Sequence, residues 1–343
     1  MGFFYSPDII MLDGMDIDSL EQKGMLEDLS KMRDQWEPEN KLMTNLSEWN
    51  DNGGLYSVAG RFSAVARAGE KKSFNSLNSL GSALEHTLKA DSEGKLSYAE
   101  MPMTEEQITA RVKKDILLTA DTLLSDGKPN KQAIEEYFSS AQKVYSNSKL
   151  IFGEESMWDV AYLGLGMASD TIGTFSNICG IKTLCSVNEA REDIAFDYGT
   201  SSSKLTFVPI CDLGICSAGS NKDNAAEFIK TTLSAEVQSM SSDTGLPVDG
   251  KELERLIGND DSITSLGLMD ANGCYKDYML NAPQKEEISD FISYAKSADT
   301  PLTADEQTVD ILTEAAVSCI NNSLTPAEAA DKAMSKLELR TKE

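Results

Sequence analysis

The sequence predicts an α/β protein. Short apolar runs closed by turn residues alternate with segments whose apolar positions recur every three to four residues. Helical pattern outweighs strand pattern, and no internal repeat or low-complexity linker interrupts the chain. At 343 residues the chain is long enough for two lobes of ordinary size or one large domain.

Pro7-Asp8-Ile9-Ile10-Met11-Leu12-Asp13-Gly14 reads as a buried strand running into a turn. Asp16 to Lys23 follows as a short helix stopped by Gly24. Tyr56 to Ala66, rich in Val, Phe and Ala, predicts one or two strands split at Gly60. Leu77, Leu80, Leu84 and Leu88 share a helix face. Thr104-Glu105-Glu106-Gln107 is a capping-box pattern ahead of Ile108, Val112 and Ile116. Lys131 to Asn147 predicts another helix, entered through Asp126-Gly127-Lys128-Pro129. Residues 163–217 return to strand-like runs, notably Leu205 to Ile210 and Leu213 to Ser217, separated by glycine and serine clusters. Ser220-Asn221-Lys222-Asp223 predicts a cap for a helix with Ala225, Phe228, Ile229 and Leu233. Thr303-Ala304-Asp305-Glu306 and Thr325-Pro326-Ala327-Glu328 read as two further capping boxes. The second sets Pro at the first helical position, where its missing N–H does no harm.

A net charge of −25 argues against nucleic acid, whose phosphates require clustered Lys and Arg, and equally against an anionic membrane surface. No apolar run approaches the roughly 18 residues of a spanning helix. The start, Met1-Gly2-Phe3-Phe4-Tyr5-Ser6, has no basic region and does not read as a signal peptide. The single histidine, His86, falls about 180° from its helix's apolar stripe, a solvated position. One histidine excludes His-rich metal clusters and two-histidine mechanisms. Cys179, Cys185, Cys211, Cys216, Cys274 and Cys319 show no C-x2-C spacing. They read as small buried hydrophobes, with bridges open if the protein is exported. Ile215-Cys216-Ser217-Ala218-Gly219 lacks the first glycine of a nucleophile elbow. Gly164-Leu165-Gly166-Met167-Ala168-Ser169 lacks the third glycine of a dinucleotide loop. The sequence offers no enzyme, no metal site and no cofactor site.

The positive signal lies in distant segments taken together. One is Pro7-Asp8-Ile9-Ile10 through Gly24-Met25-Leu26-Glu27-Asp28-Leu29. Another is Gly214-Ile215-Cys216-Ser217-Ala218, then Asn221, continuing through Ala225 to Lys230, Ser234 to Gln238 and Gly245-Leu246-Pro247-Val248. Leu55 to Ala59 and Thr325 to Leu337 supply two more, with Ala59 where a proline is usual. In this order they resemble the extracellular solute-binding proteins, family 1, which feed ATP-binding-cassette importers, typically of sugars. The resemblance covers nearly the whole chain, most loosely between 70 and 200.

The resemblance implies a two-lobe, type II periplasmic-binding-protein-like fold, each lobe a sheet flanked by helices and the second lobe helix-rich. The first lobe is expected from 1–62 and 213–290, the second from 63–212 and 291–343, with hinges near 62–66 and 212–216. Only six residues precede Pro7, so the first lobe is expected to lack its opening strands and to leave sheet surface uncovered. A polar solute, a sugar or oligosaccharide, would sit between the lobes, touching Asp13, Met15, Asp16, Tyr56 and Arg61 from the first. Thr174, Phe175 and the stacking candidate Trp158 would meet it from the second. Asp13 and Asp16 could alternatively cap the following helix. The implied partners are permease subunits of the importer. The chain is expected to be a monomer, extracellular and cell-surface-attached, though it carries no signal peptide of its own. The alternative is a truncated, non-transporting form of the same fold that acts through protein contacts.

Overall fold

In the computed structural model, the described residues are 7–33, 36, 42–48, 53–70, 104–125, 128–146, 167–172, 194–198, 205–240, 245–258, 265–269, 275–279 and 285–340. Along them run β1 (Ile9–Met11), α1 (Ile17–Gln22), α2 (Thr44–Ser47), β2 (Val58–Glu70), α3 (Glu105–Leu118) and α4 (Ala120–Leu123). Then come β3 (Leu124–Ser125), β4 (Lys128–Pro129), α5 (Lys131–Tyr145), β5 (Met167–Ile172), β6 (Ile194–Tyr198) and β7 (Thr206–Ile215). The remainder is α6 (Lys222–Thr232), α7 (Ala235–Gln238), β8 (Leu246–Pro247), α8 (Gly250–Gly258), β9 (Ser265–Met269), β10 (Tyr275–Met279), α9 (Lys285–Ser297), β11 (Thr300–Pro301), α10 (Glu306–Ile320) and α11 (Pro326–Arg340).

The main sheet has the order β1-β7-β2-β5, with β6 and β8 also on β2 and β11 on β7. Its spine is the antiparallel β2–β7 pair, in register from Val58 opposite Leu213 to Ala64 opposite Phe207. Beyond Ala64, β2 leaves β7 and pairs with β5 and β6. The Tyr294 hydroxyl fills the fork where the strands part: it accepts the Val65 N–H at 3.2 Å and donates to the Thr206 carbonyl.

Two cores result. The first lies against the sheet, with Phe62, Phe207, Leu213 and Ile215 from the strands, Leu46 from α2, Ile229 from α6, Leu253 from α8 and Phe291 from α9. The second is a four-helix core of α3, α5, α10 and α11, built from Val112, Ile116, Phe138, Leu312, Ala330 and Ala333. Between them sits a small cluster of Val65, Leu118 and Leu302, with Val208 packed against it. The fold is a mixed, open-sheet α/β fold of two lobes. Among the described residues, β2 leaves the first core after Ala64 for the small cluster, and β11 carries the chain from Ala298 of the first core past Leu302 to Ala304 beside the second.

Several local expectations need correcting. Tyr56 to Ala66 is not split at Gly60, because β2 runs through it unbroken. The two strands expected at 205–217 are one strand, β7, which runs through Cys211 even though that residue takes a positive φ of 53°. Among the described residues β1 is an edge strand rather than a buried one, since β7 covers one side only and Met11 is 57% exposed. Asn221 begins α6 without capping it, because its side-chain amide donates to Asp8 instead. The cap of α10 is Asp305, not Thr303: its carboxylate accepts the Thr308 N–H at 3.0 Å. The Thr325/Glu328 box forms as expected, each side chain reaching the other's backbone N–H. The helix of Leu77 to Leu88, with His86, lies outside the described residues, as do Cys179, Cys185 and Cys274. Cys216 and Cys319 are buried free thiols and Cys211 is half-buried.

Candidate functional site

The loop from Leu12 to Asp16 is where the first core meets the second. It begins as β1 ends: the Leu12 N–H still donates to Asp212 at 2.7 Å, and the Met15 N–H closes a turn onto the Leu12 carbonyl at 2.9 Å. Gly14 supplies the left-handed backbone of that turn (φ +73°), which a side chain would strain. Asp16 then caps α1 by accepting the Ser19 N–H at 3.0 Å, which fixes the loop's far end.

The Asp13 carboxylate accepts two backbone N–H groups of β7, Cys211 at 2.9 Å and Asp212 at 3.0 Å. Asp13 thus serves strand β7 rather than the helix that follows it. Asp212 beside it is 2% exposed, and its Oδ1 has no hydrogen-bond partner. Burial pushes its carboxyl up to about 7, the Ser57 hydroxyl opposing and the Asp13 charge assisting. Cys211 is likewise pushed up, by burial first and then by the charges of Asp13 and Asp212.

Arg61 is nearly buried, and its guanidinium donates to the carbonyls of Val237 (2.9 Å) and Met240 (3.1 Å) at the end of α7. A cation there suits the negative end of the helix. Burial holds its pKa below the usual guanidinium range. The Tyr56 ring lies against Gly54, where a Cβ would come within 2.6 Å of it. Met15 stays 41% exposed.

The second core reaches this loop through the start of α10 and the end of α11. The Glu306 N–H donates to the Gly14 carbonyl at 2.9 Å. Arg340 pairs with Asp305 at 2.5 Å, donates to the Thr308 hydroxyl at 2.6 Å and stands 4.0 Å from the Asp16 carboxylate. Lys113 of α3 pairs with Asp310 at 2.9 Å and with Glu306 at 3.4 Å, on the same end of α10.

Asp13, Met15 and Asp16 therefore share one loop, with Tyr56 and Arg61 on the adjoining β2 side. Trp158, Thr174 and Phe175 lie outside the described residues. Sequence reading missed Ser57, Asp212, Glu306 and Arg340. A carboxylate inside the apolar run Phe207-Val208-Pro209-Ile210-Cys211-Asp212-Leu213 was a usable signal, whereas Arg340 lies more than 320 residues from Asp16 and left none. Among the described residues no group of three or more His, Cys, Asp and Glu is placed to hold a metal ion. A separate cavity of about 460 Å3 opens on the first core between Ser30, Arg33, Thr44 and Glu48. Its central charges pair with each other, Arg33 to Glu48 at 2.6 Å. None of the described helices is long and apolar enough to cross a membrane.

No family model matches the chain, and no curated protein matches it in sequence. Solved structures do. A Streptococcus pneumoniae solute-binding protein, in complex with the blood group A-trisaccharide, superposes with a TM-score of 0.54 at 15% identity, over 97% of this chain and 85% of that one. An Agrobacterium radiobacter K84 ABC-transporter solute-binding protein in complex with ribitol gives 0.53 at 12% identity, over 96% and 84%. The maltose/maltodextrin-binding domain MalE of Bdellovibrio bacteriovorus, bound to maltotriose, gives 0.51 at 13%, over 98% and 86%. These neighbours are binding proteins, and at such identities the likeness is one of fold. The chain has the two-lobe α/β fold of the solute-binding proteins.

Proposed function

We propose that this chain is the solute-binding component of an ATP-binding-cassette importer, capturing a carbohydrate or similar polar solute between its lobes. The carrying observation is the fold: two separate cores joined by extended strands, as in neighbours in complex with a trisaccharide, maltotriose and ribitol. Such an arrangement suits hinge closure around a ligand. The lobes exchange near residues 64–66 and 299–302, a division supported by where the cores change. It leaves helix α9 with the first lobe.

The solute face is the loop bearing Asp13, Met15 and Asp16, with Tyr56 and Arg61 beside it. Trp158, Thr174 and Phe175, outside the described residues, are carried over as second-lobe contacts from the resemblance alone. Carboxylates accept from solute hydroxyls, and an aromatic plane or the Met15 side chain covers apolar ring faces. Binding of this kind needs no catalytic group, so the chain is not an enzyme. It works as a monomer outside the cell and delivers its solute to permease subunits.

The test is thermal unfolding of the chain against oligosaccharides, sugar acids, polyols and amino acids, with maltotriose, ribitol and a blood-group trisaccharide included. A ligand at 100 times its Kd stabilises by about 2.7 kcal/mol. At roughly 2–4 °C per kcal/mol that is a shift of several degrees. A cooperative transition that no solute moves would overturn the reading and favour a non-transporting form of the fold.

A further inference from the structure

The loop expected to face solute is already engaged by the opposite lobe. We propose that the Asp13–Asp16 loop is a latch that holds the two lobes together without solute. Its fastenings are the Glu306 N–H on the Gly14 carbonyl and Arg340 standing between Asp305 and Asp16.

Both halves of the latch are built before they meet. On the first lobe, Asp13 is tied to two N–H groups of β7, Gly14 takes the turn that presents its carbonyl, and Asp16 is fixed as the cap of α1. On the second lobe, Asp305 caps α10 and leaves the Glu306 N–H at the helix's first position, aimed at Gly14. Arg340 is held by Asp305 and Thr308, so its remaining reach toward Asp16 costs little further ordering. Lys113, paired with Glu306 and Asp310, ties that end of α10 back to α3. The free N–H of a helix's first turn is a donor that must find some partner, and here the partner belongs to the other lobe.

The latch bears on the proposed binding role, since solute can enter only when it opens, and the apparent affinity is then scaled by the competent fraction. It does not depend on that role being right, because its test uses no solute. Glu306 begins a helix, where proline fits, and Asp305 before it is extended (φ −64°, ψ 142°), as a residue preceding proline should be. Glu306→Pro therefore deletes the N–H that α10 gives to the Gly14 carbonyl while suiting the helix. Glu306→Ala keeps the N–H and deletes only the carboxylate. Arg340→Gln tests the ionic fastening.

The primary readout is the radius of gyration of the solute-free chain by small-angle X-ray scattering, with circular dichroism confirming that each variant is folded. Losing one such hydrogen bond shifts the latched-to-open ratio by roughly 2- to 12-fold. Glu306→Pro and Arg340→Gln are expected to enlarge the particle while Glu306→Ala does not. In Arg340→Gln, amide exchange at Glu306 is expected to quicken by a similar factor. If Glu306→Pro fails to fold, Arg340→Gln decides alone. Unchanged scattering in both variants overturns the latch. A Glu306→Ala expansion equal to that of Glu306→Pro overturns the role of the N–H.

Discussion

Asp115 and Asp212 are buried carboxylates held well above their ordinary range, one in each core, and they set the protein's response to pH. Asp115 accepts the hydroxyls of Tyr145 at 2.6 Å and Tyr137 at 3.4 Å, yet burial outweighs these bonds and the nearby Arg111 charge, pushing it up to about 6. Asp212 stands at about 7 for the same first cause. A folded-state pKa raised above the unfolded value means that the native state binds more protons in between, so stability falls as pH rises through that window. For Asp115 the window runs from about 4 to 6 and the loss is about 3 kcal/mol. Below pH 4 the carboxylates whose pKa values are lowered, among them Asp28, Asp305 and Glu314, become protonated and stability falls again. The melting temperature is therefore expected to peak near pH 4–5, and Asp115→Asn to flatten the limb between 4 and 6. A wild-type curve flat from 5 to 7 would contradict this. Tyr294→Phe removes the hydroxyl that accepts the Val65 N–H at the fork of β2 and β7, at a cost of about 1–3 kcal/mol in chemical denaturation. No local pattern announces such groups. Tyr294 and Thr206 are 88 residues apart, and only the folded strand positions bring them together.

Helix ends were the most legible part of the sequence, because a cap is a local affair of three or four residues. Asp16, Gly24, the start at Glu105 and the Thr325/Glu328 box all stand where polarity and spacing put them. The errors fell where a side chain had a distant rival claim on it. Asn221 faces Asp8 at 3.0 Å across more than 200 residues and gives up its cap. The sequence divides β7 at Cys211-Asp212, where a carboxylate interrupts the apolar run, and the Asp13 carboxylate that holds the strand together there is 198 residues from Cys211. At this scale the sharpest expectation concerns α11. Thr325→Ala removes the hydroxyl that accepts the Glu328 N–H and is expected to cost about 1 kcal/mol by urea titration. An unchanged midpoint would mean that packing of Ala329, Ala330 and Ala333 alone fixes the helix start.

At the scale of the whole molecule, the α/β class followed from alternation and the two-lobe arrangement from ordered segments that are individually weak. The division into cores could not follow from either. A strand that changes partners, as β2 does when it leaves β7 for β5 and β6 between Val58 and Glu70, is one unbroken strand with no turn residue to mark the crossing. The candidate site was half legible: the loop at 13–16 could be named from its place after a strand, whereas its neighbours from α10 and α11 come from the other end of the chain.

Ile9 packs on the sheet core and Leu337 lies in the four-helix core, so the first and last described elements belong to different lobes. Pro7 starts beside the sheet and Arg340 finishes among the four helices. A fluorescent donor near one end and an acceptor near the other would ride on different lobes. The separation of those two dyes would follow the opening of the molecule without a label placed inside either core.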